Sequence, residues 1–331
     1  MKNYCNCWLN LFLLFIGIFL FILKKLCRGI IFSKTTLIHN KVVIITGANT
    51  GLGKVTAIDL AKRGGKIYIA CRDVKRSEEA LKDIKRESGS DNIHFMQLDL
   101  SSIESIREFS QKFHDKEEKL HILINNAGLI GDQNLKTKDG FEMTMGVNHL
   151  GHFLLTHLLL DLLKASAPSR IINVSSSAYF FSKIEHDDFD ENKKFSSSFI
   201  IYAKSKLANI LFTRKLAKIL KEKMVTVNCC HPGVIPTKIT RNISAAEFMY
   251  NIILKPFLKT PVEGAQSQIR LAVDPDLEDV TGKYFENCKE VSTWKHANDE
   301  NAADWLYAKS CKLLCNKLSD KEIENFEIKF N

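Results

Sequence analysis

From Lys41 onward the chain alternates short apolar runs with longer stretches whose apolar residues recur every three to four positions. The short runs are Val42–Thr46, Lys66–Ala70, Ile93–Leu98, Ile122–Asn125, Arg170–Val174, Val225–Cys229 and Lys283–Phe285. Almost unbroken apolar character over so few positions marks strands covered on both faces, as in a parallel sheet. The helical runs are Lys54–Arg63, Ser77–Glu87, Ser101–Phe113, Phe141–Lys164 and Ser205–Lys221, and Ser101-x-x-Glu104 has the form of a capping box. Strand and helix in turn, joined by right-handed crossovers, predict an α/β fold with a doubly wound parallel sheet of about seven strands. The polar stretches Ser182–Ser198 and Lys238–Thr260 predict loops or small helices above that sheet.

Ahead of this pattern, Trp8 to Leu23 is apolar except for Asn10. As a helix it reaches about 24 Å, close to a hydrocarbon core of about 30 Å once Tyr4 and Leu26 extend it and Lys24 and Lys25 snorkel. Lys24, Lys25 and Arg28 stand where a signal peptide would need a small-residue cleavage site, which favours an uncleaved membrane anchor. Lys24, Lys25, Arg28 and Lys34 outnumber Lys2, so the positive-inside rule puts the large domain in the cytosol. The expected organisation is an anchor and basic segment over 1–36, then a single domain over 37–331 that meets lipid through the amino-terminal helix.

Net charge is +9 over 331 residues. No Lys/Arg block is interleaved with aromatics, which argues against a nucleic-acid partner and leaves an anionic cofactor or lipid. The nine cysteines follow no framework spacing and read as reduced thiols; Cys5, Cys7 and Cys27 flank the apolar run, where acylation is an option.

Candidate chemistry collects at the ends of the predicted strands. The first strand runs into Gly47-Ala48-Asn49-Thr50-Gly51-Leu52-Gly53 and then a helix, the arrangement that lets backbone N–H groups approach a pyrophosphate in a Rossmann-type fold. Arg72 follows the second strand and suits a 2′-phosphate, which predicts NADP(H); its neighbour Asp73 would instead suit the hydroxyl of NAD. Asp99 and Leu100 close the third strand. Asn125-Asn126-Ala127-Gly128 closes the fourth, with small residues that admit a flat base or ribose and asparagines that also suit turn capping. Three serines, Ser175, Ser176 and Ser177, end the fifth strand, and any one of them can donate to a carbonyl. The sixth runs into His231-Pro232-Gly233-Val234 and Thr237, whose backbone can hold a nicotinamide amide and whose threonine can reach a phosphate. Asn148, within a long apolar helix, must find partners for its amide, structural or a water. His149 and His152 lack a third ligand, so no metal site is expected.

Tyr202 and Lys206 are four apart at the start of a helical run and therefore share a face. A phenol with an ordinary pKa of about 10 is a poor acid–base catalyst at neutral pH, and a nearby ammonium is expected to lower it.

In this order the motifs resemble the short-chain dehydrogenase/reductase family over Lys41 to Phe285. The segments Gly47–Lys54, Ile69–Asp73, Val147–Leu155, Ser205–Asn209 and His231–Val234 look like the membrane-anchored, NADP-preferring retinol dehydrogenases (retinal reductases). The resemblance implies that Ser176 binds the substrate carbonyl, Tyr202 exchanges its proton, Lys206 tunes Tyr202 and binds the nicotinamide ribose, and Asn148 anchors a water. It also implies an apolar carbonyl or alcohol substrate, retinal foremost, with steroids, lipid-derived aldehydes or cofactor binding without turnover as rivals. A single-pass protein of the endoplasmic reticulum and a homodimer paired through the two long helices belong to the same expectation. Departures lie in the loops: Ile184–Ile201 is acidic and then serine-rich, and Tyr202-Ala203-Lys204 stands where relatives often have Tyr-Cys-His. The apolar stretch Ala245–Leu258 suits a cap on a greasy pocket, a bilayer contact or packing on its own domain.

Overall fold

A computed structural model describes residues 29–132, 134–189, 197–233, 258–315 and 318. The expected anchor, Cys5, Cys7, Cys27, Val234, Thr237 and Ala245–Phe257 lie outside the described residues. Among the described residues no helix is long and apolar enough to cross a membrane.

The elements are β1 (Val42–Thr46), α1 (Gly51–Lys62), β2 (Lys66–Cys71), α2 (Val74–Ser88), β3 (Ile93–Gln97), α3 (Ile103–His114) and β4 (Ile122–Asn125). There follow α4 (Gly151–Leu158), α5 (Leu160–Ala165), β5 (Ser169–Val174), α6 (Ser198–Ile219), β6 (Val225–His231), α7 (Pro261–Val273), β7 (Tyr284–Glu286), β8 (Lys289–Glu290) and α8 (Glu300–Cys315). The strands form one sheet in the order β3-β2-β1-β4-β5-β6-β7-β8. The first seven are mutually parallel; β8 is a short antiparallel addition, so the sheet has eight strands rather than about seven. β8 escapes a pattern search because both its residues are exposed. Alternate positions of the strands feed two cores. Val42, Ile44 and Leu123 face the layer holding α3, α4 and α6, whereas Val43, Ile45, Ile122 and Ile124 face that of α1 and α7.

Three local expectations change. The box Ser101-x-x-Glu104 does not form: the Ser101 hydroxyl donates to Asp99 Oδ1 at 2.6 Å, and Ser102 caps α3 by accepting from Ser105 N. A carboxylate is the stronger acceptor and captures the first serine. The single helix over Phe141–Lys164 is broken into an α turn at Met143–Met145, a π turn at Gly146–Leu150, then α4 and α5. Gly151 lies so close to the Leu100 carbonyl that a Cβ would sit 2.6 Å from it, and Asn148 in the π turn bonds both backbone groups of Leu129. Finally, α6 begins at Ser198, capped by Ser197, so Tyr202 and Lys206 both lie inside it.

The carboxyl-terminal α8, which no motif announced, packs across α4 and α6. Tyr307 meets His157 at 2.7 Å and Phe153 at 5.1 Å between rings, and His149 Nε2 meets Ser310 Oγ at 3.0 Å. Every residue of α4 is buried, as are Ala203 to Thr213 of α6.

Candidate active site

In a doubly wound sheet the carboxyl ends of the strands face the ligand crevice. β1 ends in a turn with Gly47 at φ +68° and Gly51 at φ +56°. A Cβ on Gly47 would stand 2.9 Å from Ala127 Cα, and one on Gly53 would stand 2.6 Å from Asn126 Nδ2, so the turn is pressed onto the end of β4. Gly51, by contrast, faces open space. Thr50 caps α1 without a side-chain hydrogen bond, and the first turn holds no acidic residue. The leading amides of α1 and its dipole are therefore available to an anion beside Asn49, Thr50, Gly51 and Leu52.

Thr46 organises the neighbouring strand ends. Its hydroxyl accepts from Asn126 N and Ala127 N, both at 2.9 Å, and meets His152 Nε2 at 2.8 Å. His152 Nδ1 faces the Asn148 carbonyl at 3.2 Å, so Nδ1 carries the proton and Nε2 accepts from the Thr46 hydroxyl. Burial pushes His152 down to about 3 and His149 down to about 4, which keeps both neutral. These histidines serve the fold. The Asn126 amide donates to Thr46 O at 2.7 Å, so turn capping is its observed role. Asn125 donates to Asn173 at 2.8 Å and Thr156 at 3.0 Å, deep in the sheet.

At the end of β2, Arg72 is exposed, while the Asp73 side chain is engaged as the cap of α2 through Arg76 N at 3.0 Å. Asp99 accepts from Ser101 and lies 3.6 Å from Lys138. Burial pushes its carboxyl upward, but the Ser101 hydrogen bonds and the charges of Arg72 and Lys138 outweigh that and hold it below its ordinary value. Leu100 beside it is buried.

The three serines separate by environment. The Ser175 hydroxyl is buried and donates to the Lys206 carbonyl at 2.7 Å, and Ser177 is exposed. Ser176 is half-buried and hydrogen-bonded to the Tyr202 side chain. Lys206 is only 3% exposed, its Nζ donating to Val174 O at 2.9 Å and lying 5.6 Å from the centre of the Tyr202 ring. A Cβ on Gly128 would be 3.3 Å from Lys206 Nζ and 3.5 Å from Asn148 Oδ1, so glycine there admits both groups. Ser176, Tyr202, Lys206 and Asn148 thus meet above β4 and β5, beside the glycine turn.

The electrostatics differ from the expectation that Lys206 acidifies Tyr202. Burial pushes the Tyr202 phenol above its ordinary value, the Ser176 hydrogen bond opposes this, and Lys206 contributes no resolved part. Burial also pushes Lys206 down to about 8, so its own charge is costly in this site. Two buried groups of unlike type each pay for desolvation before either can help the other.

At the end of β6, His231 is buried, pushed down to about 4 by burial and by Lys259 and Lys206, with Nδ1 lacking a partner among the described residues. Pro232 follows, and Gly233 at φ +89° lies against the Lys259 side chain. An unpartnered buried nitrogen, open amides at α1 and a cradle of small residues fit a dinucleotide laid across the strand ends.

Sequence reasoning missed one pair of contacts. Lys204, between Tyr202 and Lys206, bonds Asp188 at 2.6 Å and Glu185 at 2.9 Å, and the Asp188 side chain is fully buried. This clamp fixes the turn after Ser182 to α6. The acidic Glu185-His-Asp-Asp188 run followed by a lysine near the tyrosine was the available signal. Asp187 lies near the same two carboxylates, and Lys204 pairs with Glu185 and Asp188 of the three.

The family profile "short chain dehydrogenase" matches residues 41–247. Retinol dehydrogenase 12 of Mus musculus is 46% identical over 292 residues, covering 88% of this chain and 92% of the relative. Retinol dehydrogenase 13 of Homo sapiens is 47% identical over 287 residues, covering 85% and 86%. Among solved structures, the Pseudomonas aeruginosa RhlG/NADP active-site complex superimposes with a TM-score of 0.61 at 27% identity, covering 75% of this chain and 95% of that one. With the glycine turn, the serine, tyrosine and lysine gathered in the crevice and these matches, the chain belongs to the short-chain dehydrogenase family of oxidoreductases.

Proposed function

We propose that the protein interconverts an apolar aldehyde or ketone and its alcohol with NADP(H), retinal and retinol foremost, while anchored by its amino terminus in a membrane of the endoplasmic reticulum with the 37–331 domain in the cytosol. The observation that carries the reading is the meeting of the Ser176 hydroxyl, the Tyr202 phenol and the Lys206 ammonium in one buried corner beside the glycine turn. The retinoid assignment is supported by the names of relatives that match most of the chain.

Bound NADPH would supply the hydride to the carbonyl carbon. Gly47 to Gly53 would hold its pyrophosphate on the open amides of α1, Arg72 its 2′-phosphate, Asp99 and Leu100 its adenine, and Asn126, Ala127 and Gly128 its ribose side. Pro232, Gly233, Val234 and Thr237 would border the nicotinamide. Ser176 donates a hydrogen bond to the carbonyl oxygen and orients it. Tyr202 transfers its phenolic proton to that oxygen as the C–H bond forms, leaving a phenolate beside the Lys206 ammonium. Lys206 would also bond the ribose hydroxyls of the bound nucleotide, and it passes a proton back to Tyr202. Asn148 fixes Leu129 and hence Gly128, and the remaining lone pair of its Oδ1 can hold a water that reprotonates Lys206. Burial keeps the phenol of the cofactor-free site in its protonated form, the one that can donate.

NADPH oxidation with retinal, medium-chain aldehydes and ketosteroids tests this. Retinal is expected to give the highest kcat/KM. Preference for a ketosteroid or a lipid-derived aldehyde would move the substrate class, and NADPH binding with no turnover on any carbonyl would reduce the protein to a membrane-tethered binder.

A further inference from the structure

Four large aromatic side chains lie open to solvent and touch one another beside the site. Phe180 is 41% exposed, Phe181 62%, Phe199 47% and Trp294 60%. Their rings form a chain of contacts: Phe180 to Trp294 at 4.5 Å, Phe180 to Phe181 at 5.1 Å and Phe181 to Phe199 at 6.0 Å. Such a contiguous aromatic patch on a folded domain calls for an occupant. Phe180 and Phe181 end the 3-10 turn that begins immediately after Ser176, and Phe199 lies in the first turn of α6, just before Tyr202. The patch therefore borders the mouth of the crevice. Exposed Lys183 and Lys295 flank it; of the nearby carboxylates, Glu185 and Asp188 are held by Lys204, and Asp187 is exposed beside them.

The amino-terminal stretch of the described chain shows which end of the domain the preceding segment reaches. Gly29 lies against Glu263 in the first turn of α7, and the Ile30 carbonyl accepts from Cys288 in the β7–β8 turn. Both contacts are at the carboxyl ends of the strands. From there the chain descends along α7, through Phe32 to Gln266 and Lys34 to Asp274, to reach the start of β1. The 28 residues before Gly29, with the apolar run Trp8–Leu23, thus attach at the same end of the sheet as the aromatic patch and the crevice.

We propose that Phe180, Phe181, Phe199 and Trp294 form a second lipid-binding contact that seats the crevice mouth on the bilayer interface. Phenylalanine and tryptophan flanked by lysines is the composition suited to the headgroup–acyl boundary, with the lysines reaching anionic headgroups. An apolar substrate then enters from the lipid without crossing water. The contact stands on surface geometry and does not require the retinoid assignment.

The test uses the full chain carrying Trp8→Phe and Trp305→Phe, which leaves Trp294 as the only tryptophan. It is reconstituted in phosphatidylcholine–phosphatidylserine vesicles whose acyl chains are brominated either near the headgroup or near the methyl end. Trp294 fluorescence is expected to shift to the blue and to lose more than half its intensity to the shallow bromines, and less to the deep ones. Adding Phe181→Ser and Phe199→Ser should relieve that quenching several-fold, with NADPH affinity kept as the check on folding. The same pair should raise KM several-fold for an aldehyde dissolved in the vesicles and leave a short water-soluble aldehyde unaffected. Trp294 emission indifferent to brominated lipid would overturn the proposal, whether the patch is covered by a second copy or by another part of this chain. Quenching without turnover of any aldehyde would instead leave the contact standing and reject the proposed reaction.

Discussion

Lys206 is the residue on which stability and activity should most clearly pull apart. It is 3% exposed, and burial takes its pKa from 10.5 to about 8. Keeping it charged at pH 7 therefore costs the folded, cofactor-free protein about 3 kcal/mol. Lys206→Met keeps the stem's volume and removes the charge. It also removes the bond to Val174 O, worth about 1 kcal/mol, though Asn209 Nδ2 still reaches that carbonyl at 3.3 Å. The variant should be more stable at pH 7 by about 2 kcal/mol and inactive. The sign of the pH dependence follows from the lowered pKa. Between pH 8 and 10.5 the native state binds fewer protons than the unfolded one, so wild-type stability rises with pH there, while the Met variant lacks that rise. By pH 9.5 somewhat more than half of the penalty has gone, about 2 kcal/mol, and the two proteins should be nearly equal. Urea unfolding in detergent without nucleotide at pH 7 and 9.5 measures this. A Met variant less stable at pH 7, or a gap that ignores pH, would refute the reasoning.

Arg72→Ser removes a charge-assisted fork from the proposed 2′-phosphate site, so Kd for NADPH should rise by about tenfold to a hundredfold with NADH binding unchanged, read by fluorescence titration. Lys204→Met leaves the buried Asp188 carboxylate without its cation and should cost about 3–5 kcal/mol, while Lys204→Met with Asp188→Leu should recover most of it in the same unfolding assay. Because Tyr307 of α8 lies against α4 and α6, two copies are not expected to pair through those helices, and a cross-link between α6 of two copies of the solubilised protein would contradict this.

The strands were legible because burial on both faces demands apolar residues at nearly every position, as in Val42–Thr46 and Ile122–Asn125. The site corner was legible because Tyr202 and Lys206 sit one helical turn apart, a spacing that the backbone converts directly into proximity. The π turn was not, since Asn148 is pulled out of α geometry by the backbone of Leu129, a partner remote in sequence. α8 does carry helical spacing in Ala303, Leu306, Tyr307, Ser310, Cys311 and Leu314, but periodicity alone does not say that this face docks on α4 and α6. The balance between Tyr202 and Lys206 was less legible for a related reason: spacing reports distance, whereas the penalty of burial depends on the whole surrounding fold.

The central claim is that the Tyr202 hydroxyl delivers the proton while hydride reaches the carbonyl carbon. Single-turnover NADPH oxidation with saturating retinal by Tyr202→Phe, set beside NADPH binding to the same protein, tests it most directly. A rate reduced by at least about three orders of magnitude with unchanged cofactor affinity is the predicted result. Near wild-type oxidation by the phenylalanine variant would contradict it.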